Sequence, residues 1–471
     1  MSLIDLLITS GSRGIDKPGF GRAATMPRLL PWRSTSRQVC GLYPLIVGDT
    51  APLVGTVCAD PISWFEKGLI SAPSSMVLGL NGLGKSSLVR RIVTGSAYMG
   101  VHSMVLGDIK PDYVDLISAL GGQIIRIGHG HSGINPLDAG NVEQAAKLLE
   151  NHPQERSALL AAAHERKKTM VLSLIQIIRG SSPSDREENV IEAALTVLEN
   201  TCANPVLADL LQVVRDAPEP VRMAALDRGS LERYKQVTEE LEASLMALLN
   251  GRLGGIFASA TTTPMMMDRS VVFDVHDMLH EHSDLQAAVL LASWSYGFAT
   301  VEISQTLADA GVAPRHHYMI VMDELWRILR ASSGMVERID SLTRLNRTVG
   351  VGQMMLTHSM ADFQALSEED RLKAQGFVER SKMLFLGGLP GKELDLLRQI
   401  MGFSQAEEAL LNSWNAPGTY DPLSGKPAAP AGRGKFLLKT SSAPGIPFQV
   451  QFSQAEKILN NTNQRWNTEG K

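Results

Sequence analysis

Short apolar runs that end in, or lead straight into, a polar or small residue recur along the chain: Met76-Val77-Leu78, Ser103 to Asp108, Gln123 to Ile127, Ser270 to Asp274, Tyr318 to Met322, Gln353 to Thr357 and Lys382 to Leu386. Runs of three to six residues, separated by stretches with helical periodicity, predict an α/β fold with a mostly parallel sheet covered on both faces. Between the third run and Ser270 the pattern is helical throughout, with breaks at Gly180-Ser-Ser-Pro183 and Pro218-Glu-Pro220, which predicts a helical insertion over residues 141–255. Lys435 to Thr440 and Pro447 to Phe452 predict a C-terminal β pair followed by a short helix from Gln454; a Pro- and Gly-rich loop, 421–432, sets the pair apart. The chain thus divides into a flexible segment 1–40, an N-terminal part of the main domain 41–140, the insertion, and a C-terminal part 256–471.

The first run leads directly into Gly79-Leu80-Asn81-Gly82-Leu83-Gly84-Lys85-Ser86-Ser87, and Leu88, Ile92 and Val93 then mark an amphipathic helix. GxxxxGKS between a strand and a helix is the phosphate-binding P-loop. Glycines at residues 79, 82 and 84 let backbone N–H groups converge on phosphate oxygens. Lys85 reaches the β and γ phosphates, and the Ser86 hydroxyl ligates Mg2+. A glycine-rich turn before a helix is the plain alternative, and the spacing together with both flanks argues against it.

A second site stands at the end of the run His317 to Met322, where Asp323 and Glu324 follow. Beside a P-loop, a strand-end Asp organises Mg2+ and an adjacent Glu acts as general base on the attacking water. The pair points to hydrolysis rather than to phosphoryl transfer onto a metabolite. Arg344 and Arg347 precede the next strand and are candidates for stabilising transferred charge, or else lie on a solvated helix face. His358, after Thr357 at that strand's end, is a candidate γ-phosphate sensor or a hydrogen-bonded loop histidine. Asp108, Lys110 and Asp274 fall on the same ligand-binding edge as surrounding groups. His276 and His280, spaced i, i+4, read as a surface turn rather than a metal pair. Leu120-Gly121-Gly122-Gln123 has the look of a transporter signature, but it lies far upstream of Asp323. The Asn-Lys-x-Asp guanine motif does not occur, which favours ATP.

Composition narrows the partners. A net charge of −4 excludes a globally basic nucleic-acid binder, though not a local basic pore. Cys40, Cys58 and Cys202 lack CxxC spacing, which argues against a zinc site or a disulfide framework and suits a reducing cytoplasm. No apolar window is long enough for a membrane span and no signal peptide is readable, so the chain is expected to be soluble in the cytoplasm, or else held at a membrane only by partners. Arg13, Lys17, Arg22, Arg28, Arg33 and Arg37 lie in a Gly- and Ser-rich lead-in that reads as a solvated tail or a contact for an acidic partner.

Taken in order, GLNGLGKSS at 79–87, LGDIKPDY at 106–113, INPLD at 134–138, VMDELW at 321–326 and RLNRTVGVGQMMLTHS at 344–359 resemble the conjugative-transfer ATPases of type IV secretion systems, within the FtsK-HerA superfamily. GRLGGIF at 251–257 and PFQVQFSQAEKILNNTNQRW at 447–466 resemble the actinobacterial members, so that the likeness extends from Gly41 to Trp466. It implies a RecA-like domain in a homo-oligomeric, usually hexameric, ring, with ATP and Mg2+ between subunits, near secretion-channel proteins and with DNA as a candidate substrate. It also implies Lys85 and Ser86 as phosphate and Mg2+ ligands, Asp323 as the Mg2+-organising acid and Glu324 as the base. Arg347, then Arg344 and more weakly Arg433, become the trans-acting arginines. The chain departs from the family in carrying His358 where Gln is usual, which makes turnover pH-dependent by expectation, and in the short stretch before Met76. A DNA translocase and a nucleotide-gated scaffold with little turnover are the alternative functions.

Overall fold

A computed structural model describes residues 42–44, 57, 59–128, 130–329, 336, 350–360, 368–418, 429–440 and 443–459. The expected segment 1–40 and the arginines Arg344 and Arg347 lie outside the described residues. Among the described residues, ten strands form one sheet: β1 (Leu42–Pro44), β2 (Ser74–Leu78), β3 (Val101–Asp108), β4 (Gln123–Arg126), β5 (Val271–Asp274), β6 (His317–Met322), β7 (Val351–Thr357), β8 (Met383–Leu386), β9 (Lys435–Lys439) and β10 (Ile446–Val450). Their spatial order is β1-β10-β9-β8-β2-β7-β6-β3-β5-β4. From β8 to β4 every pairing is parallel. β9, β10 and β1 add antiparallel to the β8 edge. The C-terminal pair is therefore not set apart from the sheet. It extends the sheet and covers backbone groups that β8 would otherwise present as an open edge.

Alternate residues of the central strands enter opposite cores, as a sheet buried on both faces requires. Met76 and Leu78 of β2, Met104 and Leu106 of β3, and Tyr318, Ile320 and Met322 of β6 face one side. Val77, Val105, Met319 and Val321 face the other, against Leu88, Val89, Ile92 and Val93 of the helix Lys85–Tyr98. On the first side lies the helix Ser283–Asp309, buried along nearly its whole length. It comes close because two glycines meet it: a Cβ on Gly107 would sit 2.2 Å from Leu290 Cδ2, and one on Gly297 would sit 2.4 Å from Leu106 Cδ2.

Between β4 and β5 run the helices Val142–Leu148, Pro153–Arg179, Asp185–Thr201, Leu207–Asp216, Glu219–Ala225, Leu231–Asn250 and Gly254–Phe257. Most of their apolar faces join the first core, with Leu174, Ile191, Leu210 and Leu245 withdrawn from solvent, while Val142 and Ala145 pack with Leu159, Ala163, Ile303 and Leu307 in a smaller cluster of their own. Several ends carry strong stop and start signals, among them the capping box of Ser184 with Glu187 and a left-handed Gly180 after Arg179. Among the described residues no helix is long and apolar enough to cross a membrane.

Candidate functional site

The P-loop joins β2 to the helix Lys85–Tyr98 through glycines at positive φ, Gly82 at 80° and Gly84 at 96°, where a side chain would be strained. Gly79 is needed for a different reason. A Cβ there would lie 3.1 Å from the Gly387 backbone, because the loop rests on the end of β8. Gly387 N donates to Leu78 O, Leu80 N donates to Gly388 O, and Gly434 N donates to Leu83 O. These buttresses leave Lys85 buried in the hollow of the loop, its Nζ donating to Gly79 O at 2.7 Å, Leu80 O at 3.2 Å and Asn81 Oδ1 at 3.4 Å. Ser86 and Ser87 follow in the helix's first turn, half-buried. Arg433 is exposed on the loop before β9, next to its own chain's P-loop through Gly434.

The sheet order sets the remaining geometry. β7 lies between β2 and β6, so His358, directly after β7, stands between the P-loop and the pair Asp323-Glu324 after β6. Glu324 takes a left-handed backbone at φ 55°, unusual for a branched-free but bulky side chain, and is only 4% exposed. Its carboxylate meets Lys110 Nζ at 2.5 Å, His358 Nε2 at 3.3 Å and Arg327 Nε at 3.6 Å. Burial alone would raise this carboxyl, but the His358 and Lys110 hydrogen bonds and charges outweigh it and hold Glu324 well below the usual carboxylate range. Asp323 goes the other way: burial first, then the Glu324 charge, pushes it up to about 6. The Glu324 N–H donates to its Oδ1 at 2.8 Å and the Tyr113 hydroxyl to its Oδ2 at 3.3 Å.

One loop reaches all of these groups. Asp108, at the end of β3, is 2% exposed and accepts from Asp112 N at 2.9 Å and Tyr113 N at 2.7 Å. Burial pushes its carboxyl up to about 7 despite those two donors. The turn they staple aims Lys110 at Glu324 and Tyr113 at Asp323. Asp112 is raised by burial and relieved in part by the Ser86 hydroxyl and by Arg90. The sequence reading singled out Asp108 and Lys110 but gave no role to Asp112, Tyr113 or Arg327. The signal was present in the contiguous DIKPDY motif, whereas the contact of Tyr113 with Asp323 spans 210 positions.

Asp274 ends β5 and holds the His276 imidazole at 2.8 Å. His276 and His280 lie on a 3-10 turn, His276–His280, where His276 is exposed and also meets Asp277 at 3.1 Å. Among the described residues no group of three His, Cys, Asp or Glu side chains is arranged to hold a metal ion, and Cys202 is a free thiol.

No protein-family model and no curated protein sequence matches the chain. Solved structures do. VirB4 of Thermoanaerobacter pseudethanolicus is similar at 18% identity and a TM-score of 0.63, over 90% of this chain and 98% of that one. The plasmid coupling protein TrwB aligns with a GTP analogue at 12% identity and a TM-score of 0.50, over 90% and 91% of the two chains. With an ATP analogue it aligns at 11% and 0.50, over 82% and 86%. Likeness at such identities speaks for architecture, and the architecture is that of a RecA-like P-loop NTPase, the fold shared with VirB4 and TrwB.

Proposed function

We propose that the chain is an ATP-hydrolysing motor that energises conjugative DNA transfer or type IV secretion, working as a ring with nucleotide sites between subunits. The observation that carries this reading is the convergence of a buttressed P-loop with an ionised, buried Glu324 two strands away, His358 standing between them. A site that only held nucleotide would gain nothing from a buried carboxylate beside the γ-phosphate position, where like charges repel. Fold-level likeness to VirB4 and to a coupling protein supports the transfer role by analogy.

Mg2+ prefers oxygen donors and binds through one or two carboxylates plus phosphate oxygens rather than in an all-protein cage. The donor set fits: the Ser86 hydroxyl, Asp323, and Asp112 facing Ser86. When bound, the ion would neutralise charge on the β and γ phosphates. Lys85 exchanges its loop carbonyls for phosphate oxygens, Glu324 orients and deprotonates the attacking water, and His358 donates toward the γ phosphate. Lys110, half-exposed, restrains Glu324, since a carboxylate tied to an ammonium is a poor base.

ATP hydrolysis with and without double- and single-stranded DNA, at low and physiological salt, tests the motor's substrate. Turnover indifferent to DNA supports a secretion-assembly motor. Stimulation that fades steeply with salt moves the reading to a DNA translocase, and nucleotide binding without turnover would leave a gated scaffold.

A further inference from the structure

Glu324 is held in a left-handed backbone conformation that a non-glycine residue seldom adopts, so its surroundings must fix it there. Lys110 and His358 come from adjoining strand ends. The third partner, Arg327, comes from the helix Leu325–Leu329, and its other end leads away from the nucleotide. Arg327 Nη1 donates to Gln286 Oε1 at 2.5 Å. Gln286 is 4% exposed, in the first turn of the helix Ser283–Asp309. Its Nε2 donates in turn to the carbonyls of Met278 at 2.9 Å, Leu279 at 3.1 Å and Glu281 at 3.0 Å. A buried amide is tolerable only with both ends satisfied, and the Gln286 side chain meets this by offering its oxygen to the guanidinium and its NH2 to the carbonyls. The segment it gathers, 276–282, follows β5, which lies two strands from β6 in the sheet, and presents His276, Leu279, His280 and His282 to solvent.

We propose that Arg327 is a positioning residue for Glu324, set by Gln286, so that the glutamate and the exposed turn 276–282 move as one unit. The inference rests on the reading of Glu324 as the base. It gives the motor a physical connection between its hydrolytic group and a surface element outside the nucleotide pocket, where displacement by a neighbouring subunit or by the moved substrate would alter the placement of the base. The path is contiguous, guanidinium to amide to three carbonyls, with no gap to be filled by assumption.

The test uses the full chain with Arg327→Met, Gln286→Met, the double variant and Gln286→Glu. Each is read by kcat and KM for ATP hydrolysis, by affinity for a fluorescent ATP analogue, and by hydrogen exchange of residues 276–282 with and without nucleotide. Each Met variant should lose about 10- to 100-fold in kcat while affinity stays within about 2-fold. The double should be no slower than the worse single, because both remove one connection. Gln286→Glu keeps an acceptor for Arg327 but sets a carboxylate against three carbonyls, so kcat should largely survive while exchange in the turn rises. In the wild type, nucleotide should change exchange in the turn, and in Arg327→Met it should not. Multiplicative losses in the double, a kcat unchanged in Arg327→Met, or a turn that still responds to nucleotide in that variant would overturn the proposal. Full activity in Glu324→Gln would instead remove the base assignment, and the exchange comparison would still decide whether the turn and Glu324 are linked.

Discussion

Two neighbouring carboxylates, Asp323 and Glu324, are driven in opposite directions: burial and the Glu324 charge raise the first, while against burial the His358 and Lys110 contacts hold the second well below its usual range. Their identity was legible because a strand followed by Asp-Glu is a local pattern, as is GxxxxGKS. The groups that tune them were legible only in part: Lys110 stood out by its place after a strand, Tyr113 reaches Asp323 across 210 positions, and Arg327, three residues on from Glu324, belongs to no pattern that marks it. Asp108 shows the cost of such tuning. Its folded value of about 7 lies above the ordinary 3.8, so the folded state holds this proton more tightly than the unfolded chain does. Stability from this group is therefore full below about pH 4 and lost as pH rises toward about 7, by up to about 4 kcal/mol. Thermal melts from pH 5 to 8 should fall less steeply in Asp108→Asn than in wild type. Parallel curves would show that Asp108 is not the titrating group.

At the scale of elements, apolar runs announced the strands but not their order: β2 sits between β7 and β8, which come much later in the chain. Periodicity carries no information on such neighbours. The C-terminal strands illustrate what secures them. Lys439 of β9, 1% exposed, donates to both oxygens of Glu407 at 2.9 and 3.1 Å, and Gly445 N donates to Glu407 Oε1 at 2.6 Å. Burial raises the Glu407 carboxyl, yet the Ser404 and Gly445 N–H groups and Lys439 together hold it below its ordinary range. The pair locks the helix Gln405–Ser413 onto the antiparallel edge that also supports the P-loop. Glu407→Ala strands a buried ammonium and should cost about 3–5 kcal/mol in urea unfolding. Recovery of most of that loss in a Glu407→Met/Lys439→Met double variant would show that charge, not shape, is responsible, and a loss under 1 kcal/mol would place the pair at a solvated surface.

For the whole molecule, the expected α/β class, the helical stretch ahead of Ser270 and the terminal strands are all present, while the trans-acting roles proposed for Arg344, Arg347 and Arg433 would belong to an assembly of chains. A trans role follows from symmetry, not from one chain's sequence pattern. The proposed motor depends on Lys85 and Glu324 of one chain acting together on one nucleotide. Steady-state ATP hydrolysis and nucleotide affinity of wild type, Lys85→Ala and Glu324→Gln test it most directly. Lys85→Ala should lose nucleotide binding, whereas Glu324→Gln should bind as wild type does and turn over about 10^2- to 10^4-fold more slowly. Equal turnover in Glu324→Gln and wild type would contradict the account.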